Sequence, residues 1–252
     1  MSVPPSAALA GQTALVTGGA RRVGAEIVRC LHAAGANVAV HCHHSRAAAE
    51  ALCAQLCAQR AGSAALFEAD LLEVATLVPL AEAVSARFGA LHLLVNNASS
   101  FYPTPFGSVS AQAWTDLMGT NLQAPLFLSQ AAAPALRRTR GAIVNIIDIH
   151  GLRALPDYIV YSTAKAALMH LTRALARELA PEIRVNGVAP GPVLWPEAGM
   201  EEERKQDIIL HTPLGNIGTP LDVARAVRFF ASEAPFITGQ ILAVDGGRSL
   251  RW

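Results

Sequence analysis

Short apolar runs alternate with longer amphipathic segments along the whole chain. Each short run is almost entirely apolar, which is typical of parallel strands covered on both faces. Strands are predicted at Thr13–Thr17, Asn37–Cys42, Ala64–Glu68, Leu91–Asn96, Ala142–Ile147, Arg184–Val188 and Gln240–Val244. Helices are predicted to begin near Val23, Ser45, Leu72, Ala111, Tyr158 and Pro220. This alternation predicts an α/β fold, a Rossmann-type doubly wound parallel sheet of seven strands with helices on both faces.

The composition favours a single domain with a large core. The chain has 252 residues, of which 52% are hydrophobic and 15% are charged. No linker, repeat or low-complexity tract divides it, so residues 12–252 are expected to form one domain after a flexible N-terminal arm, residues 1–11. The region from Pro190 to Pro213, rich in Pro and Gly, is expected to be a loop with a short helix.

Charge and cysteine usage argue against several kinds of partner. The net charge of +1 offers no electrostatic footprint for nucleic acid or an anionic membrane. No signal peptide or membrane-spanning stretch is recognisable. Cys30, Cys42, Cys53 and Cys57 show neither disulfide nor zinc-ligand spacing, so we expect reduced thiols, no metal site and a cytoplasmic location.

A glycine-rich turn follows the first predicted strand and leads into a helix, over residues 17–24. Glycines let the backbone approach a pyrophosphate, and the helix N-terminus offers free N–H groups. Arg22 stands where such turns usually have their middle glycine, and its paired donors suit a pyrophosphate or a substrate edge. The alternative is that this glycine-rich turn joins strand and helix without binding a ligand. The predicted cofactor-binding residues here are Gly18, Arg21, Arg22, Val23 and Gly24.

The end of the second strand carries no acidic residue. An NAD enzyme normally places Asp or Glu there for the ribose hydroxyls, whereas His, Ser and Arg suit a 2′-phosphate. We therefore expect NADPH as the cofactor, with a metal-binding tract or a solvated loop as alternatives. The predicted contacts are His41, Cys42, His43, His44 and Ser45.

Polar residues also follow the third and fourth strands. Asp70, followed by Leu71, is placed to accept from an adenine amine, although capping a helix is nearly as good an explanation. Asn97, Ala98 and Ser99 follow the fourth strand, where side-chain amides can hold loops and backbone can line a ribose.

Asp148, Tyr161 and Lys165 form the candidate catalytic set. Asp148 ends the fifth strand, and Tyr161 and Lys165 are four residues apart, which places them on one helix face. A nearby ammonium is expected to lower the pKa of a tyrosine and make it a usable proton donor to a substrate receiving hydride. A Tyr and a Lys on a partly wet helix, and an Asp that only caps the next segment, are the structural alternatives.

From about Thr13 to Gly247 the chain resembles the short-chain dehydrogenase/reductase family. The matching pieces are Thr17-Gly18, Gly24, Asp70, Asn97-Ala98, Asn121, Tyr161, Lys165, Arg184-Val185-Asn186, Pro190-Gly191 and Asp245-Gly246-Gly247. In that family the Tyr donates the proton, the Lys assists it and binds ribose, and the Asn supports a proton relay; the resemblance implies these roles for Tyr161, Lys165 and Asn121. It also implies cofactor contacts by Thr120, Pro190, Gly191, Val193 and Leu194.

Two departures narrow the resemblance to the pteridine reductases of the family. Asp148 replaces the usual Ser, and Arg22 replaces a Gly; the stretch from Asn96 to Pro105 and the His-rich turn are also similar. The resemblance implies reduction of a pterin, dihydrofolate or dihydromonapterin by hydride transfer from NADPH to a C=N bond. Expected substrate contacts are Arg22, Ser99, Phe101, Asp148, Tyr161, Leu194 and Trp195.

The resemblance also implies a homotetramer, built through the helices of residues 111–138 and 158–180, with the tail of residues 248–252 reaching a neighbouring subunit's site.

The nearest alternative function is that of a carbonyl reductase acting on a ketone, sugar or acyl thioester. Asp148 argues against it because a carboxylate serves a developing oxyanion poorly. A non-catalytic NADPH sensor is a more remote alternative.

Overall fold

Seven strands form one sheet in a computed structural model that describes residues 8–196 and 199–250. The strands are β1 Thr13–Val16, β2 Asn37–Cys42, β3 Ala64–Glu68, β4 Leu93–Asn96, β5 Ala142–Ile146, β6 Arg184–Pro190 and β7 Ile241–Val244. They lie in the order β3-β2-β1-β4-β5-β6-β7, and every pair of neighbouring strands is parallel. The predicted fold class is confirmed.

Helices cover both faces because side chains alternate along each strand. The helices are α1 Arg22–Ala33, α2 Arg46–Gln59, α3 Leu77–Phe88, α4 Ala111–Met118, α5 Ala124–Thr139, α6 Ile159–Glu178, α7 Glu202–Leu210 and α8 Pro220–Ser232. In β1, Ala14 and Val16 face the core packed by α1 and α8, whereas Leu15 faces the core packed by α3 and α5. None of these helices is both long and apolar enough to cross a bilayer.

Two helices depart from their predicted courses. The third begins at Leu77 rather than near Leu72, because the Asp70 carboxylate accepts from the Leu72 N–H at 2.9 Å and holds the chain in a turn. The predicted helix over residues 111–138 is interrupted by a π-helical turn at Gly119–Gln123. The region after Pro190 carries the expected short helix, α7.

The chain joins the fold earlier than the predicted arm of residues 1–11 allows. Leu9 is buried in the core beside α1, and its N–H donates to the Ala34 carbonyl at 2.9 Å. Burial of this apolar side chain stabilises the fold. The end of the predicted arm is therefore packed against the domain. Residues 1–7, and the last two residues of the predicted tail, lie outside the described residues; Arg248–Leu250 forms a 3₁₀ turn.

Candidate active site

The sheet reverses its strand order between β1 and β4, and a cleft opens there beyond the carboxyl ends of the strands, as expected for doubly wound sheets. Its volume is about 1060 Å³. Most of the predicted site residues line it: Gly18, Arg21, Arg22, Val23, Gly24, His41, Cys42, His43, His44, Ser45, Asp70, Leu71, Asn97, Ala98, Ser99, Phe101, Thr120, Asp148, Tyr161, Lys165, Pro190, Gly191 and Val193. Whether they bind a ligand stays a prediction.

The turn between β1 and α1 depends on its glycines. Gly18 has a φ of +59°, and a Cβ at Gly24 would collide with the Gly18 carbonyl oxygen, so the turn packs too closely for a side chain there. Arg22 also has a positive φ, +51°, a conformation unfavourable for a residue with a side chain. Its guanidinium crosses the cleft and donates to the Trp195 carbonyl at 3.1 Å.

Hydrogen bonds from the fourth strand hold the same turn. The Asn97 amide donates to the Thr17 carbonyl at 2.8 Å and to the Gly18 carbonyl at 3.2 Å. In return, the Thr17 hydroxyl accepts from the backbone N–H groups of Asn97 and Ala98. Asn97 therefore shapes the cleft wall by pinning the loop, as its side-chain amide suggested.

His41 has a different position from the expected phosphate contact. Its ring is buried, with Nδ1 accepting from the Gly18 N–H at 3.2 Å and Nε2 donating to the Ala69 carbonyl at 3.1 Å. Burial lowers the pKa of His41 to about 4, so the imidazole is neutral near pH 7. It supports the turn as a neutral donor and acceptor because both ring nitrogens already have protein partners.

Asp148, Tyr161 and Lys165 converge at the ends of β5 and α6. The Tyr161 hydroxyl donates to Asp148 Oδ2 at 2.7 Å, while Asp148 Oδ1 accepts from the His150 N–H at 2.8 Å. Asp148 therefore caps the following 3₁₀ turn and also holds the phenol. Lys165 Nζ donates to the Ile146 carbonyl at 3.1 Å and lies 5.6 Å from the centre of the Tyr161 ring.

The electrostatics differ from the expectation that Lys165 lowers the pKa of Tyr161. Burial and the Asp148 carboxylate raise the pKa of Tyr161 well above its ordinary value. Burial also lowers the pKa of Lys165 to about 8, against the opposing pull of Asp148. Desolvation, which residue spacing does not reveal, outweighs the effect of the ammonium on Tyr161. The phenol of Tyr161 therefore keeps its proton near neutral pH and donates it in the hydrogen bond to Asp148.

Asn121 lies behind the cleft rather than in its lining. The π-helical turn presents its amide to the Ser100 and Leu117 carbonyls at 3.0 and 2.9 Å, and its Oδ1 accepts from the Ser99 hydroxyl at 2.7 Å. Such turns are frequent at functional sites because they redirect a side chain. Asn121 is thus connected to the cleft by its hydrogen bond with Ser99, which lines it.

Aromatic rings form one wall of the cleft. The Phe101 ring is 48% exposed, stacks on Tyr158 with centroids 4.6 Å apart, and meets Tyr161 edge-on at 4.8 Å. It presents an apolar surface next to the phenol. Leu194 and Trp195, by contrast, do not line this cleft: Leu194 is exposed, and Lys205 Nζ lies 6.0 Å from the Trp195 ring.

Comparison with known proteins agrees with this geometry. A family profile described as Enoyl-(Acyl carrier protein) reductase matches residues 18–249. Pteridine reductase 1 of Leishmania tarentolae is 38% identical over 291 residues, covering 99% of each chain. The chain belongs to the short-chain dehydrogenase/reductase family. Two further relatives are a Staphylococcus aureus 3-oxoacyl-[acyl-carrier-protein] reductase, 35% identical over 94% of this chain and 97% of its own, and mouse L-fucose dehydrogenase, 35% identical over 95% and 89%.

The sequence reasoning missed one polar network of this family member. Asp116 accepts from the Tyr102 hydroxyl at 2.8 Å and from the Ser100 hydroxyl at 3.1 Å. Burial and the neighbouring Asp116 raise the pKa of Tyr102 to about 12. An acid in mid-helix gives no sequence signal, since helices commonly expose acids. The other cleft-lining residues missed are Ala20, Leu72, Ser100, Ile146, Ile147 and Pro196.

Titratable side chains in the described part of the chain do not assemble into a metal centre. Across residues 8–196 and 199–250, no group of three or more His, Cys, Asp or Glu is placed to hold an ion. All four cysteines are free thiols, and burial raises the pKa of Cys53 to about 11.

Proposed function

We propose that this oxidoreductase uses NADPH to reduce a C=N bond of a pteridine, such as a dihydropterin or dihydrofolate. The observation that carries the proposal is the 2.7 Å hydrogen bond between Tyr161 and Asp148, at a position where most of the family has Ser. A carboxylate disfavours an oxyanion beside it, but it can orient a phenol whose proton goes to a ring nitrogen. Similarity to a pteridine reductase supports the same substrate class.

The cleft fits a nicotinamide dinucleotide. The N-terminal end of α1 carries no acid in its first turn, and Arg21 and Arg22 line the cleft beside it, so a pyrophosphate would meet positive charge. His43, His44 and Ser45 would meet a 2′-phosphate, which favours NADPH over NADH. When bound, the nicotinamide supplies hydride.

The protein's own residues supply the proton and position the substrate. Tyr161 would transfer its hydroxyl proton to the ring nitrogen whose double bond is reduced, and the buried Lys165 would stabilise the resulting phenolate. Ser99 and Arg22 would bind the polar edge of the heterocycle. Phe101 would stack on its face, since its ring is half-exposed beside Tyr161.

Initial rates of NADPH oxidation with dihydrobiopterin, dihydromonapterin, dihydrofolate and a panel of ketones and 3-oxoacyl thioesters test the proposal. We expect a pteridine to have the highest kcat/KM. The Asp148→Ser variant should lose about 10²-fold or more of this activity, the scale of a misplaced proton donor. Glu82→Gln, which changes an exposed carboxylate of α3, is the control and should leave the rates unchanged. A faster reaction with a ketone, or full pteridine activity in Asp148→Ser, would overturn the proposal.

We also propose a cytoplasmic homotetramer built through α4, α5 and α6, as the resemblance implies. Light scattering of the purified chain tests the assembly state, and a monomer at micromolar concentration would contradict it.

A further inference from the structure

A carboxylate of α4 is hydrogen-bonded to both sequence neighbours of Phe101. The Ser100 hydroxyl donates to Asp116 Oδ1 at 3.1 Å, and the Tyr102 hydroxyl donates to Asp116 Oδ2 at 2.8 Å. Phe101 lies between these two residues in the chain and lines the cleft with its half-exposed ring. Asp116 therefore holds the segment of residues 100–102 immediately before and immediately after the ring.

Three hydroxyl groups converge on this carboxylate. Besides Ser100 and Tyr102, the Thr120 hydroxyl donates to Asp116 Oδ1 at 3.4 Å. Hydrogen bonds that a carboxylate accepts are stronger than those between neutral groups, so they restrain the segment effectively. Burial, together with Asp116, raises the pKa of Tyr102 to about 12, so this phenol keeps the proton that it donates.

The far end of the loop is fixed to the start of α6. Thr104 forms a backbone bridge with Tyr158, which directly precedes that helix. The Phe101 ring stacks on Tyr158 with centroids 4.6 Å apart and meets Tyr161 edge-on at 4.8 Å. The ring thus lies between two attachments, one at α6 and one at Asp116. Misplacing a substrate by about 1 Å can slow a reaction by about 10²-fold, so a small shift of this ring matters.

We propose that Asp116 is a positioning residue that fixes the Phe101 ring relative to the Tyr161 phenol. A flat heterocycle stacked on the fixed ring would present its C=N nitrogen to the hydroxyl in one orientation. A ketone without an aromatic ring gains little from such a stack, so Asp116 contributes to the selection of flat substrates. It acts through residues 100–102 and not by contact with the reacting atoms. This inference rests on the proposed stacking of a pteridine on Phe101.

Substitutions at the two ends of one hydrogen bond test the role of Asp116 in catalysis. Asp116→Asn and Tyr102→Phe should each lower kcat/KM for the best pteridine by about 3–10-fold, the effect of losing about one net hydrogen bond. The double variant should lose little more, because both changes remove the same bond. Ser108→Ala is the control: it removes a hydroxyl that donates to the Pro105 carbonyl in the same loop, and it should leave the rates unchanged.

A second cycle asks whether the bond acts through the aromatic ring. In a Phe101→Leu background, Tyr102→Phe should have no further effect on kcat/KM, since no aromatic ring remains to be positioned. A bond that merely stabilises the fold would instead give additive losses in the two backgrounds.

The position of the ring can also be read without any substrate. The chain has eight phenylalanines, so ¹⁹F NMR of protein labelled with 4-fluorophenylalanine gives a resolvable set of signals. The signal missing in Phe101→Leu belongs to Phe101. Tyr102→Phe and Asp116→Asn should shift that signal and leave most others in place, and Ser108→Ala should not shift it.

Each outcome decides one of the two proposals. A shifted Phe101 signal together with non-additive losses supports the inference. An unshifted signal, or additive losses with a pteridine as the best substrate, overturns the inference and leaves the proposed function standing. A ketone as the best substrate overturns the proposed function, and with it the selection of flat substrates by Asp116.

Discussion

Lys165 is a buried cation, and burial gives its titration a predictable direction and size. The residue is 2% exposed, and burial lowers its pKa from 10.5 to about 8. Between these two values the unfolded chain binds more protons than the folded one. Stability therefore increases with pH through this window, and below about pH 8 the full cost of the buried charge is present.

The magnitude follows from integrating this difference in bound protons. From about pH 7 to about pH 9.5 the contribution of Lys165 to the free energy of unfolding should rise by about 2 kcal/mol. Lys165→Met removes the titrating group and fills a similar volume. The stability of the wild type relative to this variant should therefore increase by that amount over the same pH range, when both are measured by urea denaturation.

Lys205, the other lysine of the sequence, provides the control. It lies on α7 and pairs with Glu202 at 3.1 Å, so Lys205→Met should not reproduce the pH-dependent difference. The titration of Lys165 can also be followed directly by NMR, because the sequence has two lysines. The lysine ¹³Cε signal that persists in Lys205→Met should titrate with a midpoint near 8. A midpoint at or above the ordinary lysine value, or identical pH dependence of stability in the wild type and Lys165→Met, would show that desolvation does not dominate here.

Three further substitutions have distinct expected outcomes. Tyr161→Phe should reduce kcat by about 10²–10⁴-fold and leave the Kd for NADPH within about twofold, and retained turnover would exclude Tyr161 as the proton donor. Arg22→Gly should raise stability by about 1 kcal/mol, because Arg22 has a φ of +51°, but weaken NADPH binding; thermal unfolding and calorimetry measure the two effects. Gly24→Ala should lower stability by about 1–3 kcal/mol, since its Cβ would meet the Gly18 carbonyl; an unchanged Tm would contradict this packing.

Strands were predictable because their signal is local. Asn37–Cys42 and Ala64–Glu68 have the predicted bounds, since an apolar run between polar turns defines both ends of a covered strand. The break at Gly119–Gln123 was not predictable, because it depends on bonds from Asn121 to a loop some twenty residues away. Leu9 was missed for the same reason: only a tertiary contact shows that it is core.

Sequence spacing predicted which residues line most of the cleft, but it did not predict their electrostatics. Asp148, Tyr161 and Lys165 follow from spacing, and the fold brings them together as a strand end and one helix face require. The state of His41 depends on which backbone groups its two nitrogens meet, and the strand pattern carries no such information. Burial likewise decides the pKa of Tyr161, and sequence gives the neighbours of a group but not its desolvation.

The raised pKa of Tyr161 bears on the direction of the reaction. Oxidation of an alcohol requires a base that already lacks its proton, and a buried phenol that donates to a carboxylate is a poor source of such a base. Reduction of a C=N bond requires the protonated form, and the nitrogen that receives the proton becomes strongly basic as hydride reaches the adjacent carbon. A donor with a high pKa therefore still transfers its proton late in the reaction, when the acceptor exceeds it in basicity. The arrangement of Asp148 and Tyr161 thus favours reduction over oxidation.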